Sequence, residues 1–251
     1  MFGNIALVKF DKKASVTEKK KFAQKVMKEN GAIKTVLEKT GKFKGRLRKQ
    51  ETKYLAGENT KEVLYRENGC IFRFNTDKTY FSPRLSNERK EIASMIKGGD
   101  VLVMFAGAAP YSIVIAKNSK AKKVYSNEMN KEANKYAEMN VGLNKLKGKV
   151  IMASGDIKKI TTKLKRKFDY IVMPRPQLKD SFLKQTFMLS KKGTIVFYYD
   201  FCKRDERQGI IDKINKDAKK ARKKIKILRT KNAGEIAPYR FRIRVDFKVL
   251  N

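Results

Sequence analysis

Val101-Leu102-Val103-Met104-Phe105-Ala106-Gly107-Ala108-Ala109-Pro110 reads as a buried strand running into a turn of small residues and then, from Pro110, into a helix. Such small side chains let backbone amides come close to a bound molecule. Taken alone, the stretch is a common strand-to-helix turn. Two acids sharpen it. The strand Lys123 to Asn127 ends at Glu128, roughly 20 residues past the turn, where a carboxylate can accept from both hydroxyls of a ribose. Asp156 follows the next strand in Ser154-Gly155-Asp156 and is placed to receive the amino group of an adenine. Each acid by itself also reads as an exposed loop carboxylate; the ordered set points to a site. The turn lacks the Lys and Ser/Thr of a P-loop and the full G-x-G-x-x-G series that a pyrophosphate wants. A nucleoside ligand without phosphate tolerates a turn with fewer glycines.

Working outward, helix and strand signals alternate from Ser86 onward, which favours a mostly parallel sheet with crossover helices. Helices are expected at Ser86 to Met95, Tyr111 to Lys117, Lys131 to Leu143, Leu178 to Leu189 and Glu206 to Lys224. Strands are expected at Asp100 to Phe105, Lys123 to Asn127, Lys149 to Ala153, Phe168 to Met173, Thr194 to Tyr199, Ile225 to Thr230 and Tyr239 to Val249. The last two form an antiparallel hairpin. Before Ser86, strands at Ile5 to Phe10, Ala32 to Glu38, Lys61 to Arg66 and Cys70 to Phe74, with a helix at Thr17 to Glu29, read as a small α/β module of about 75 residues. The expected fold is therefore α/β, with a small N-terminal α/β domain over residues 1–80 and a Rossmann-like domain over 81–251.

The chain has 251 residues, 41% of them hydrophobic, enough for one sizeable core and an appended module. Lys and Arg total 61 against 25 Asp and Glu, a formal charge of +36, so the surface repels itself unless it meets a polyanion. Nucleic acid is the natural partner; a solvated surface tuned for solubility is the plainer alternative. A membrane partner would need an amphipathic anchor or an apolar span of about 18 residues, and neither is found. The stretch Lys42-Phe43-Lys44-Gly45-Arg46-Leu47-Arg48-Lys49 interleaves cations with apolar residues and could track a phosphate backbone, or be a solvated loop. Met1 to Lys13 lacks the features of a signal peptide, so a cytoplasmic protein is expected. There are two cysteines, Cys70 and Cys202, and no histidine, which excludes a disulfide framework, cysteine zinc sites, His-based triads and imidazole acid–base work.

The arrangement of small turn, acid and acid resembles that of class I methyltransferases. From about Gly57 to Tyr199 the chain resembles, more specifically, the archaeal and eukaryal tRNA guanine-37 N1-methyltransferases and their wyosine-pathway relatives. The segments that carry the likeness are Leu55-Ala56-Gly57-Glu58-Asn59, Arg66-Glu67-Asn68-Gly69-Cys70, Tyr80-Phe81-Ser82-Pro83-Arg84-Leu85-Ser86-Asn87-Glu88-Arg89, Met104-Phe105-Ala106-Gly107 with Pro110 and Ser112, and Ala237-Pro238-Tyr239. The resemblance implies S-adenosylmethionine as cofactor, held by Phe105, Ala106, Gly107, Glu128 and Asp156, with Pro174 and Pro176 on the same wall. It implies that Arg84 reaches O6 of a flipped guanine, stabilising charge as the N1 proton leaves, and that Asp100 acts as general base. Read without the family, Arg84 is a salt-bridge residue before a helix and Asp100 an exposed turn residue.

The implied partner is the anticodon stem-loop of tRNA, bound by a monomer, and the implied reaction is methylation of guanine 37 at N1. Departures from the family pattern are Val103 where an Asp is usual, Ala109 where a second turn glycine is usual, and Pro174-Arg175-Pro176 in place of Asn-Leu-Pro or Asn-Pro-Pro. The proline form resembles an archaeal subgroup that also methylates C7 of the wyosine precursor imG-14, giving imG2. Full-length relatives often carry a further N-terminal domain, and by the resemblance this chain is expected to start without it. Two alternatives are an aminocarboxypropyl transferase of the wybutosine pathway and a non-catalytic RNA-binding protein on a methyltransferase fold.

Overall fold

The computed structural model describes residues 2–11, 13–41, 45, 47, 50–203 and 206–251. Of the basic stretch 42–49, Lys42, Phe43, Lys44, Arg46, Arg48 and Lys49 lie outside the described residues, as do Met1 and Lys12 of the N-terminal segment.

The chain begins with β1 (Ile5–Val8), α1 (Val16–Glu29), β2 (Thr35–Lys39) and β3 (Thr52–Gly57), a three-stranded sheet in the order β1-β2-β3 with α1 laid against it. Ser15 starts α1 with a capping box: its hydroxyl accepts from the Glu18 N–H, and the Glu18 carboxylate accepts from the Ser15 N–H. The sheet ends at Gly57, whose φ of +89° and tight approach to Lys34 leave no room for a side chain, since a Cβ would sit 2.1 Å from the Lys34 carbonyl oxygen. β3 has no counterpart among the strands expected from sequence.

A hairpin follows, β4 (Glu62–Glu67) and β5 (Cys70–Asn75), and then a single 3-10 turn at Pro83–Leu85. The remaining elements are α2 (Ser86–Met95), β6 (Asp100–Val103), α3 (Pro110–Asn118), β7 (Lys123–Ser126), α4 (Lys131–Leu143), β8 (Val150–Met152), α5 (Ile157–Ile160), β9 (Phe168–Met173), α6 (Leu183–Leu189), β10 (Ser190–Lys203), α7 (Arg207–Lys220), β11 (Ile225–Ala237) and β12 (Arg240–Val249). Seven of these strands form one sheet in the order β11-β12-β10-β9-β6-β7-β8, in which β12 alone runs against the rest. This is the expected mixed α/β sheet closing in an antiparallel hairpin.

Each central strand is apolar on both sides, because helices cover both faces of the sheet. Val101, Val103, Val172 and Phe197 pack with α2, α3 and α4. Their neighbours Leu102, Met104, Ile171, Met173 and Val196 pack the other way, with α6 and α7. The period of two along the strands thus builds two cores from one sheet. The hairpin β4–β5 belongs to the first of them: Val63, Cys70, Phe72 and Phe74 are buried with Ile92 and Ile113.

The hairpin is fastened by two asparagines one turn apart on α4. Asn140 accepts from the Arg73 N–H at 2.6 Å and donates to the Arg73 carbonyl at 3.0 Å. Asn144 does the same for Ile71, at 2.9 and 2.6 Å. Their side-chain amides stand in for a missing strand along the edge of β5, satisfying backbone groups that would otherwise be buried unpaired. Asn140 also donates to the Ala108 carbonyl at 3.0 Å, so the same residue ties the hairpin to the small-residue turn after β6.

An Asn140→Leu variant keeps the branched outline at a larger volume and removes all three bonds. At about 1–3 kcal/mol for each buried group left unpaired, it is expected to lose several kcal/mol of stability, read as a lower denaturant midpoint.

Candidate active site

In an open α/β sheet, ligands bind beyond the carboxyl ends of the strands where neighbouring connections leave on opposite sides. Here that place lies past β6, β7 and β9. The turn after β6 is sharply bent: Phe105, Gly107 and Ala109 have φ of +57°, +58° and +66°. Ala109 carries a side chain where glycine would be unstrained, and it is fully buried.

The bend aims two amides at the end of β7. The Ala106 N–H donates to the Asn127 carbonyl and the Gly107 N–H to Oε2 of Glu128, both at 2.8 Å. Oε1 of Glu128 accepts from the N–H groups of Met129 at 2.8 Å and Asn130 at 2.7 Å. Burial pushes the Glu128 carboxyl above its ordinary value, and these three N–H bonds oppose that shift without cancelling it.

Asn127 is 2% exposed and donates to the carbonyls of Ala153 and Gly155, each at 2.8 Å, while the Gly155 N–H donates to the Glu128 carbonyl at 2.7 Å. The loop after β8 is therefore pinned to the loop after β7. At its end Asp156 caps α5, accepting from the Lys158 N–H at 3.0 Å.

These loops surround a cavity that opens to solvent, with about 1100 Å³ of space counting its open mouth. Phe105, Ala106, Gly107, Glu128, Asp156, Pro174 and Pro176, the whole set expected to hold a cofactor, line it. The two residues expected to act on the substrate are placed differently. Arg84 is exposed on the 3-10 turn, between the wall residues Ser82 and Leu85, and makes no hydrogen bond or ion pair among the described residues. The salt bridge that was the alternative reading of Arg84 belongs instead to Arg89, which is buried and pairs with Glu67.

Asp100 is not brought to the site. It opens β6 at the end away from the cavity, three strand residues or about 10 Å before the turn begins, where Arg166 pairs with its carboxylate at 3.1 Å and Asp169 accepts from its N–H. It opens a buried strand, as expected, but it is not among the residues that line the cavity.

Two arginines that the sequence reading gave no role help to build the wall. Arg89 also donates to the Ser82 carbonyl at 3.0 Å and lies over the rings of Phe81 and Tyr111, so it fixes the segment on which Arg84 sits. Arg175, between two prolines, is 2% exposed. It pairs with Asp200 and donates to the carbonyls of Leu178 and Asp180, the latter at 2.7 Å. That clamp keeps residues 178–182 out of α6, which starts at Leu183 rather than at the expected Leu178.

Burial works to raise the Asp200 carboxyl, but Arg175 and Lys213 bring it below its ordinary value. Tyr111 and Tyr199, both on the wall, are hydroxyl donors rather than bases. Burial pushes Tyr111 up to about 12 and Tyr199 well above its ordinary value. The carboxylates on the wall, among the described residues, are Glu128 and Asp156.

This geometry has close counterparts. Residues 63–228, from within β4 into β11, match the family model for the TRM5/TYW2 methyltransferase domain. The chain is 32% identical over 251 residues to the tRNA (guanine(37)-N(1))-methyltransferase Trm5b of Pyrococcus abyssi, covering 99% of this chain and 74% of that one. It is 31% identical over 281 residues to the tRNA (guanine(37)-N(1))/4-demethylwyosine(37)-methyltransferase Taw22 of Nanoarchaeum equitans, covering 92% and 93% respectively. The crystal structure of Trm5b from Pyrococcus abyssi superposes with a TM-score of 0.88 at 31% identity, covering all of this chain and 74% of that one. A complex of aTrm5 with tRNALeu superposes at 0.85 with 25% identity, covering 100% and 71%. The overall fold, with its seven-stranded sheet, is thus that of a known group, and the chain belongs to the TRM5/TYW2 methyltransferase family.

Proposed function

We propose that the protein transfers the methyl group of S-adenosylmethionine to N1 of guanosine 37 in tRNA. The observation that carries the reading is Glu128, a half-buried carboxylate on the cavity wall, held by three backbone N–H groups at the carboxyl end of β7 in a chain that aligns over nearly its whole length with a guanine-37 methyltransferase. The wall suits the donor. Gly107 leaves the backbone open where a Cβ would come within 3.3 Å of the Tyr80 carbonyl, and the lining mixes apolar rings with two acids. S-adenosylmethionine, when bound, supplies an electrophilic methyl on a sulfonium.

The chain's own groups do the rest. Glu128 keeps lone pairs free beyond its three N–H bonds to accept from ribose hydroxyls, and Asp156 accepts from the adenine amino group. Pro174 and Pro176 have no N–H, and Arg175 holds their loop as a fixed wall. As N1 of guanine gains a carbon it must lose its proton, and charge builds on O6; the guanidinium of Arg84, unpaired among the described residues, is the group that offsets it. With Asp100 at the far end of β6 and no histidine in the chain, the proton passes to a wall carboxylate or to water.

The Taw22 relative matches this chain over 93% of its own length, which favours a second methylation, at C7 of imG-14 to give imG2. The expected boundary at residue 80 we move to about 60, because the hairpin β4–β5 packs into the core of the large sheet: residues 1 to about 60 form an RNA-facing module and the rest the catalytic unit, which we take to act as a monomer in the cytoplasm.

Incubation with unmodified tRNA and with tRNA bearing 4-demethylwyosine, followed by nucleoside mass spectrometry, tests the chemistry. Methylated guanosine at position 37 is expected. An aminocarboxypropyl adduct would overturn methyl transfer, and failure of labelled donor to bind would make the protein an RNA binder on a methyltransferase fold. Glu128→Ala is expected to weaken donor binding roughly tenfold to a hundredfold by equilibrium titration, the loss of hydrogen bonds to a charged acceptor. Because the folded-state value of Glu128 is raised, donor affinity in the wild type should begin to fall, as pH is lowered, sooner than an exposed glutamate would dictate. Arg84→Ala should lower kcat by roughly a hundredfold or more with donor affinity unchanged, whereas Asp100→Asn should methylate like the wild type.

A further inference from the structure

The last strand pairs of the sheet reach well beyond its other strands. β9 stops pairing with β10 at Met173, opposite Tyr198. β10 and β12 continue together through Tyr199↔Arg244, Phe201↔Arg242 and Lys203↔Arg240, and β11 follows β12 to Ala237↔Arg240. Tyr199 to Lys203 is four steps, so the three strands project about 14 Å past the carboxyl edge of the sheet, on the side where the cavity opens.

Alternate residues of a strand, and residues directly opposite each other across an antiparallel pair, share a face. One face of the arm therefore carries Tyr199 with Arg244, then Phe201 with Arg242, then Lys203 with Arg240. The inner row is buried, the middle row lines the cavity and the outer row is exposed. Arg242 lies over the Phe201 ring, 5.3 Å from its centroid. Lys203 and Arg240 pair with no carboxylate among the described residues.

At the tip, Pro238-Tyr239 makes the two-residue turn. Tyr239 has a φ of +59°, a conformation that costs a side-chain-bearing residue roughly 1–2 kcal/mol, and it is 73% exposed. A strained aromatic held in solvent, at the end of a ladder of cations that starts in the cavity, is poor design for a free surface. It is the combination that single-stranded nucleic acid takes: charges for phosphates and a ring for a base.

Resting on the RNA-methylating reading, we propose that this arm is an RNA-docking surface. Lys203 and Arg240 take phosphates beside the reacting nucleotide, and Tyr239 stacks on a neighbouring unpaired base of the loop.

The test is binding of an anticodon stem-loop RNA with guanosine at position 37, followed by fluorescence anisotropy over a range of salt. Tyr239→Ala should bind about tenfold more weakly, and Tyr239→Phe like the wild type. The paired change Lys203→Ala with Arg240→Ala should flatten the salt dependence by about 1.4 in slope, two single-strand phosphate contacts. Binding of labelled donor should be the same in all variants, which reports an intact fold. Wild-type affinity and slope in the variants would overturn the proposal, and Tyr239→Phe binding as weakly as Tyr239→Ala would overturn stacking. Arm-dependent RNA binding by a protein that methylates nothing would support the docking surface and sink the methyltransferase reading instead.

Discussion

The site depends on one carboxylate kept out of bulk water. Removing Glu128 from solvent is costly, and the cost shows as a carboxyl displaced upward from its ordinary value. Three backbone N–H groups reduce it, one from the turn after β6 and two from the chain entering α4. Those donors converge only if β6 and β7 pair in the register Val103↔Ser126 and the turn between Met104 and Pro110 takes its bent form. Glu128 therefore reports the correct assembly of the sheet at the point where the cavity opens. Asn127 extends the same constraint to the loop after β8 and, through Gly155, to Asp156.

A second constraint comes from arginine. With 61 cations and 25 acids, most positive side chains must face solvent or a polyanion, yet Arg89, Arg175 and Arg244 are each no more than 2% exposed. All three are paired. Arg244 on β12 meets Glu88 at 2.5 Å, Glu91 at 2.9 Å and Asp246 at 2.7 Å, and Glu88 accepts in turn from the Tyr199 hydroxyl on the cavity wall. Buried pairs of this kind add little net stability, because desolvation offsets their attraction. What they impose is position: Arg89 sets the segment before α2, Arg175 the loop after β9, and Arg244 the lean of α2 against β12. Each of these elements contributes a side of the cavity.

How much of this is legible in the chain follows from what enforces each pattern. α2, α4 and β9 lie where apolar spacing puts them, because a core on one or both sides punishes any other register. The acids Glu128 and Asp156 can be picked out by spacing, since they lie two and four residues past the ends of β7 and β8. β3 is missed because its outward Lys53 and Tyr54 break the alternation, and α5 because four residues carry no helical period. β11 runs seven residues past its expected end at Thr230. Beyond the sheet edge there is no core to demand alternation, so Asn232, Gly234 and Glu235 fit a strand that sequence periodicity cannot see. Asn140, Asn144 and Arg175 are invisible for a different reason: the two asparagines bond backbone groups of β5 more than 60 positions away, and the acid that pairs with Arg175 lies 25 positions on.

Strain completes the picture. Among the described residues, three of the non-glycine positions with positive φ, Phe105, Ala109 and Phe182, lie in or beside the segments that form the cavity wall. Left-handed backbone is tolerated only where the surroundings over-determine it. Here they do: the rings of Phe105 and Phe182 meet edge to face at 4.9 Å across the mouth between β6 and β9, and Ala109 is locked by the Asn140 bond to the preceding carbonyl. A relaxed turn would point the Gly107 amide elsewhere and leave Glu128 with an unmet lone pair in a poorly solvated place. The strain of the turn and the desolvation of the carboxylate are thus offset by the same contact, so Ala109 holds a left-handed backbone while the cradle around Glu128 is kept.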